Sequence, residues 1–507
     1  YQNESASFKK AGKAFFSIHM ATNTPADEAA AYARIKQFIY EQWDSTVVPM
    51  LCEYIKIPNQ SPDYDVEWAT NGLIEQAMNL IVDWVKRQPV KGMTVTLLED
   101  RGHRTPFLLV EVDSTIPAAQ DPGHTVLMYG HMDKQPPLLP WAEGLGPYTP
   151  VIRDGRLYGR GGADDGYAIF ASILSIIGLQ RENIPHPRIA ITIEADEESG
   201  SNNLDHWIGQ VQSRLGDVRL VICLDSGALS YDCIWNTTSL RGVLNGELKA
   251  EVMYEAMHSG IGGGVVPDTT RVLRSLLARI EDVDTGKVLI PELHCDIPPS
   301  VVENFQCLNA LGPEFMAQYP FLPGIQLPEK SNADHALDNY WRPSLTVTGA
   351  EGLPPCSRAG NVLRQSTTFK LSFRAAPKAD VKAAAAKIAA RLTENPPYNA
   401  RVTWSGEHVG EGWAAPPLLP WIDQTLRESS LEAFGKSFGE VGLGGSIPFM
   451  AMLGRMFKEA QFLVTGVLGP SSNAHGPNEF LDIMFGKRVN YCVTRVLGGF
   501  AKAAVRK

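Results

Sequence analysis

Four short apolar runs, residues 107–112, 125–129, 188–193 and 220–224, most constrain the fold of this chain, because three of them lead straight into histidine or acidic residues. Between and around them lie segments of helical spacing at residues 29–57, 71–88 and 168–179; in the second, Ile74, Met78, Ile81 and Trp84 recur on one face. Strands this apolar must be covered on both faces. The alternation therefore predicts an α/β layered domain with a substantially parallel sheet.

The pattern changes after about Trp235. Residues 248–254, 368–373 and 400–404 read as strands and the Ala-rich stretch 380–392 as a helix, an order that predicts a smaller α+β unit. Helical spacing returns at 420–432 and 484–505, so the first unit is expected to resume. With 507 residues, the chain also exceeds what one hydrophobic core usually supports.

A net charge of −10 and a pI near 5.6 oppose a nucleic-acid partner, which would require clustered Lys and Arg. The longest nearly apolar run, 167–179, is too short to cross a bilayer and follows an acidic pair, so no membrane partner is expected. Seven scattered cysteines without CxxC spacing predict neither a disulfide framework nor a thiolate zinc site, and fit a reducing, cytoplasmic compartment. Residues 1–20, with Lys9, Lys10 and Lys13 before a very short apolar stretch, read as a flexible or vector-derived leader.

The chemistry sits in five places. His131-Met132-Asp133 follows the 125–129 run, where an α/β sheet presents ligands at its carboxyl edge. Asp164-Asp165 follow a glycine-rich turn and precede an apolar helix, a position that helix capping explains comfortably for one acid, while two adjacent acids there are also what a divalent-metal site would use. Residues 194–198 hold four acids, and adjacent Glu197 and Glu198 can divide two tasks, one binding a cation and one accepting a proton. Asp225 ends the 220–224 run, and His475 lies in a turn-rich stretch near the C-terminus. Singly, each also reads as an ordinary loop residue. Together, two histidines and three carboxylates form a ligand set suited to zinc, manganese or cobalt, with a glutamate to spare.

The ordered motifs GHMD, LYGRGGADD, ADEESGS, LDSG, HSG, SFRAAP, GGSIPF and NAHGPNE resemble the carnosinase, acetylornithine deacetylase and glutamate carboxypeptidase family of dinuclear zinc exopeptidases, from about Ile55 to the C-terminus. The resemblance implies a three-layer catalytic domain in two parts, 21–238 and 411–507, with an inserted α+β lid and dimerisation domain at 239–410. It implies two divalent ions per chain, zinc foremost with manganese or cobalt as alternatives. His131 and Asp225 would bind one ion, Glu198 and His475 the other, and Asp164 would bridge them. Asp133 would orient His131, and Glu197 would act as general base toward a water between the metals. His258 aligns with a lid histidine that reaches the neighbouring subunit's site in dimeric members. Arg374 and Ser446 align with residues that meet the substrate carboxylate, and Asn361 with one that assists them. Ordinary readings stand beside these roles, a surface ion pair for Arg374 and a helix cap for Ser446.

Two departures bear on the substrate pocket. Gly166-Tyr167 follows the double acid where the family often has a lysine, and Gly442-Leu443 precedes Gly444-Gly445-Ser446 where many carnosinase-like members have Arg-Glu. Asp rather than Glu at 225 tilts the resemblance toward dipeptidases. The expected activity is hydrolysis of dipeptides or similar small carboxylate-bearing substrates, with an N-acyl amino acid deacylase as the alternative and an inactive metal-binding homologue behind it. An amidohydrolase barrel would require eight β/α repeats, which the α+β insertion opposes.

Overall fold

The computed structural model describes residues 25–445 and 447–505, so the leader expected at residues 1–20 and Ser446 lie outside the described residues. Its centre is a six-stranded sheet in the order Met93–Asp100, Arg104–Val112, Arg188–Glu194, His124–His131, Asp217–Cys223, Gln461–Val464. The last four strands run parallel, and the Met93–Asp100/Arg104–Val112 hairpin adds an antiparallel edge.

Side chains alternate between two cores, as the pleat requires. Leu108, Val110, Val126, Met128, Ile189, Ile191, Leu220 and Ile222 join one core, which also contains residues of the helices Pro25–Gln42, Leu73–Lys86, Ala168–Arg181 and Ile483–Val505. Phe107, Leu109, Leu127, Tyr129, Ala190, Val221 and Cys223 join the other, with the helices Leu204–Leu215 and Pro448–Met456. Burial on both faces explains why these strands read as continuous apolar runs. The Ala168–Arg181 helix is buried almost all round, and the stretch Gly162–Arg181, which has the length and apolarity of a membrane span, is buried inside the protein as far as Leu179.

A second, antiparallel sheet has the order Ser344–Glu351, Ser366–Ala375, Gly242–Glu251, Arg401–Gly410. The helices Thr269–Leu277 and Val381–Thr393 cover one of its faces, burying Leu244, Leu248, Leu371 and Phe373 against Val272, Leu276, Ala384 and Ile388. Between them the chain builds a patch that its sequence periodicity does not announce. The short helices Pro299–Phe305, Pro313–Ala317 and Asn332–Tyr340 pack Phe305, Phe315 and Leu337 against Trp235 and Val441 of a small three-stranded sheet. Helices of five to nine residues offer too few turns for an apolar stripe to stand out.

Candidate metal centre

Three neighbouring parallel strands end at one place. His131 closes the central His124–His131 strand, Asp225 lies just beyond Asp217–Cys223, and Glu197 and Glu198 form a tight turn after Arg188–Glu194. This is the carboxyl edge at which α/β sheets collect ligands. Asp164 joins from the turn before the Ala168–Arg181 helix, and His475 from the loop between Gln461–Val464 and Phe480–Asp482. Gly130 lets the central strand approach that turn closely, since a Cβ there would lie 2.6 Å from Asp165 Oδ2.

Asp164 faces both histidines. Its Oδ1 lies 3.3 Å from His131 Nε2 and its Oδ2 lies 3.1 Å from His475 Nε2. His131 Nε2 is 3.8 Å from Asp225 Oδ1, and His475 Nε2 is 3.3 Å from Glu198 Oε2. Donor atoms of His131, Asp164 and Glu198, and those of His131, Glu197 and Asp225, each fall within 4.8 Å of one another. The structure thus gathers His131, Asp164, Glu197, Glu198, Asp225 and His475 around one small volume.

Asp133 does more than its sequence position suggests. Its Oδ1 lies 3.3 Å from His131 Nδ1, within ion-pair range but not aligned as a hydrogen bond, while its two oxygens accept from the backbone N–H groups of Glu197 and Glu198 at 3.1 and 3.0 Å. One carboxylate therefore sets both the imidazole and the glutamate turn. Gln135 donates to Glu198 Oε2 at 2.7 Å, and Tyr54 and Asn59 both donate to Met132 O, holding the strand end from behind.

The electrostatics call for added positive charge. Burial pushes Glu197, Glu198 and Asp225 upward, reinforced for Glu197 by Asp225 and for Glu198 by Asp164. His131 would be lowered by burial, but Asp225, Asp133 and Asp164 raise it well above its ordinary value. Burial opposes ionisation of Asp164 too, yet its two histidines hold it far below the carboxylate range. Among the described residues none of these four carboxylates has a Lys or Arg partner in an ion pair. Four largely enclosed acids, gathered with two imidazoles, fit divalent cations of the zinc type, and unneutralised they would be costly to hold together.

The remaining sequence candidates stand elsewhere. His258 and Asn361 meet at an exposed two-stranded ribbon, where His258 pairs with Val362 and Ser259 N donates to Asn361 O. No hydrogen bond or ion pair joins either to the cluster among the described residues. Arg374 is half-buried in the Ser366–Ala375 strand. Three features escaped sequence reasoning although two lie inside the motifs: the buried pair Arg160–Glu479, the backbone contacts of Asp133, and Arg241 next to Arg374.

Comparison with known proteins places the chain among peptidases. The chain is 26% identical over 360 residues to the cysteinylglycine-S-conjugate dipeptidase of Corynebacterium striatum, covering 71% of this chain and 77% of that one. It is 26% identical over 486 residues to a Cys-Gly metallodipeptidase of Candida albicans, covering 91% and 95%. Human Beta-Ala-His dipeptidase is 25% identical over 363 residues, covering 70% and 69%. Among solved structures, the di-peptidase Dug1p of Saccharomyces cerevisiae superposes with a TM-score of 0.71 at 21% identity, covering 92% and 98%, and human carnosine dipeptidase 1 with 0.71 at 19%, covering 94% and 99%. The description Peptidase family M20/M25/M40 matches residues 127–497, a span that begins in the central strand and takes in every one of the clustered acids and histidines, and the chain belongs to that family.

Proposed function

We propose that this protein is a metal-dependent dipeptidase whose catalytic centre is the cluster around Asp164. The observation that carries the reading is that the two Asp164 oxygens face different histidines, with the Glu197 carboxylate beside His131 and Asp225. His131 and Asp225 would hold one divalent ion, Glu198 and His475 another, with Asp164 between them. Such ions, zinc foremost, would supply Lewis acidity and lower the pKa of a water at the site.

Glu197 takes a proton from the attacking water and returns it to the leaving nitrogen, so one carboxylate serves as base and then as acid. Asp133 keeps that carboxylate in place through the Glu197 N–H and fixes the His131 ring from its other side. Arg374, half-buried and without a counter-ion among the described residues, receives the terminal carboxylate, assisted by Ser446 and Asn361. The names of the relatives support a dipeptide substrate over an N-acyl amino acid. The lid spans about residues 239–410 and pairs two chains into a homodimer, with His258 entering the partner's site. All seven cysteines are free, which supports a reducing, cytoplasmic setting.

The test is a hydrolysis screen of dipeptides beside N-acetyl amino acids with zinc-reconstituted protein. Cleavage of dipeptides but not of the acetylated compounds is the expected result; the opposite pattern would replace the dipeptidase reading with the deacylase one.

A further inference from the structure

Arg241 is buried, with 8% of its surface exposed, and among the described residues it has no carboxylate partner. Its Nε donates to Gly444 O at 3.1 Å and its Nη1 to Arg342 O and Ser344 Oγ, both at 3.2 Å. These neutral acceptors fix the plane of the guanidinium. They leave Nη2 without a hydrogen bond among the described residues.

The surroundings of Nη2 are set by Gly444 and Asn339. A Cβ built on Gly444 would lie 3.1 Å from it and 2.3 Å from Asn339 Oδ1, so Nη2 and Asn339 together fill the side of Gly444 that a side chain would otherwise occupy. Gly444 and Asn339 belong to the wall of a cavity of about 570 Å³, which Gly227, just beyond Asp225, and Ser471, just ahead of His475, also line. Among the described residues none of those lining the cavity carries a charge. Arg241 stands behind that wall, against Gly444 and Asn339, and a desolvated cation there is costly to bury unless something anionic neutralises it.

A second cation shares the neighbourhood. In the antiparallel sheet Arg374 pairs with Ser344 on one side and Val243 on the other, and Ser344 is the residue whose hydroxyl Arg241 holds. Burial, followed by the charge of Arg374, lowers Arg241 to about 10. Arg374 has no counter-ion of its own among the described residues. A single carboxylate would neutralise only one of the two guanidiniums.

We propose that Arg241 and Arg374 form a two-guanidinium site for the C-terminal residue of the substrate, and that the dipeptides cleaved best end in Asp or Glu. Arg374 takes the terminal carboxylate, and Arg241, through Nη2, takes the side-chain carboxylate. This assignment rests on the dipeptidase reading and deepens it to a substrate class. Charge-assisted bonds to a fixed guanidinium discriminate strongly against a neutral isostere, because the buried donor is then left unpaired.

The experiment compares Ala-Glu with Ala-Gln, which match in shape and differ in charge, using zinc-loaded wild-type protein. The expected result is a kcat/KM for Ala-Glu about tenfold or more above that for Ala-Gln. Arg241→Met is expected to erase the preference, mainly through the KM of Ala-Glu, and Arg241→Lys to keep part of it; a merely structural role would lower both substrates together. Equal or better cleavage of Ala-Gln by the wild type overturns the assignment and leaves the dipeptidase reading standing. Persistence of the preference in Arg241→Met overturns it as well. If no dipeptide in the broader screen is cleaved, the dipeptidase reading falls and takes the assignment with it. The wild-type comparison needs no substitution, so folding defects in the variants cannot rescue a negative result.

Discussion

Arg160 and Glu479, 319 positions apart, form an ion pair with almost no exposed surface, Nη1 to Oε2 at 2.5 Å, that clamps the Asp164 turn to the His475 loop. Glu479 Oε1 also accepts from Gly161 N, while Arg160 donates to Gly476 O and Pro136 O. His475 itself sits at φ +63°, a conformation that a non-glycine residue adopts only when its surroundings enforce it. The pair therefore braces two residues of the centre, which meet nowhere else in the chain order.

Glu479→Gln should expose that bracing. It leaves the Arg160 charge buried with only neutral acceptors, and breaking a buried pair from one side costs about 3 to 5 kcal/mol. We expect a lower urea midpoint and a zinc affinity weakened by about tenfold or more, as for other residues that orient a metal's ligands. Unfolding curves and competition titration with a zinc chelator measure the two effects. Wild-type values for both would show that the loops are held by other contacts.

Glu197→Gln separates proton transfer from metal binding. The amide is nearly isosteric and cannot take a proton from water, so kcat should fall by about 10²- to 10⁴-fold with little change in KM. Elemental analysis of the variant should still find two divalent ions per chain, because Glu197 is not among the five proposed ligands. Near-normal turnover with intact metal content would remove Glu197 from its role. At most one tightly held ion after saturation, in wild type and variant alike, would remove the dinuclear centre.

What was legible in the sequence followed the backbone's own periodicity. His131 and Asp225 could be placed because each ends an apolar run, and a strand buried on both faces must deliver its last residues to the sheet edge. Glu197 and Glu198 follow the adjoining strand and come to the same edge. The Arg160–Glu479 pair was not legible, since nothing local in LYGRGG or NAHGPNE says that their charges meet. Arg241 was hidden for a related reason. Its neighbours Arg374 and Ser344 are set by strand register, which depends on the order of the antiparallel sheet and not on any one segment.

His186 predicts a pH dependence that is independent of the metal centre. It is buried, its Nδ1 lies 2.8 Å from Pro187 O, and its Nε2 lies 3.1 Å from Gln180 Nε2. Gln180 is oriented by Lys91, whose N–H donates to Oε1 and whose carbonyl accepts from Nε2. His186 is thus held as the neutral Nδ1–H tautomer, and burial lowers its pKa from 6.5, partly offset by the Pro187 carbonyl. Below about 6.5 the unfolded chain binds this proton more readily than the folded one, so stability falls with falling pH until the lower folded-state value is passed. Urea midpoints of wild type and His186→Gln, compared between pH 7.5 and 5, should diverge in slope, the wild type losing more. Parallel slopes would mean that His186 does not contribute to acid sensitivity; titration at the metal centre cancels in the comparison.

The last prediction concerns the proposed homodimer. Ser344–Glu351 is an edge strand of the lid sheet, mostly exposed, with Val347 46% exposed, and an open edge of this kind invites pairing with a second chain. His258 is exposed on the two-stranded ribbon, and its Nδ1 accepts from Gly260 N at 3.1 Å, which places the ring proton on Nε2. A donor so fixed is suited to a developing oxyanion on a partner chain. His258→Ala and Glu197→Gln should each be nearly inactive alone. Mixed under subunit exchange, they should regain roughly a quarter of wild-type turnover, because random exchange puts about half the chains into mixed dimers with one complete site each. In that site the base comes from the His258→Ala chain and the histidine from its Glu197→Gln partner. Light scattering at assay concentration and a native mass spectrum of the exchanged mixture establish that the dimers exist and have mixed. A monomer, or an active His258→Ala protein, would contradict the arrangement, and absence of recovery in verified mixed dimers would confine His258 to its own chain.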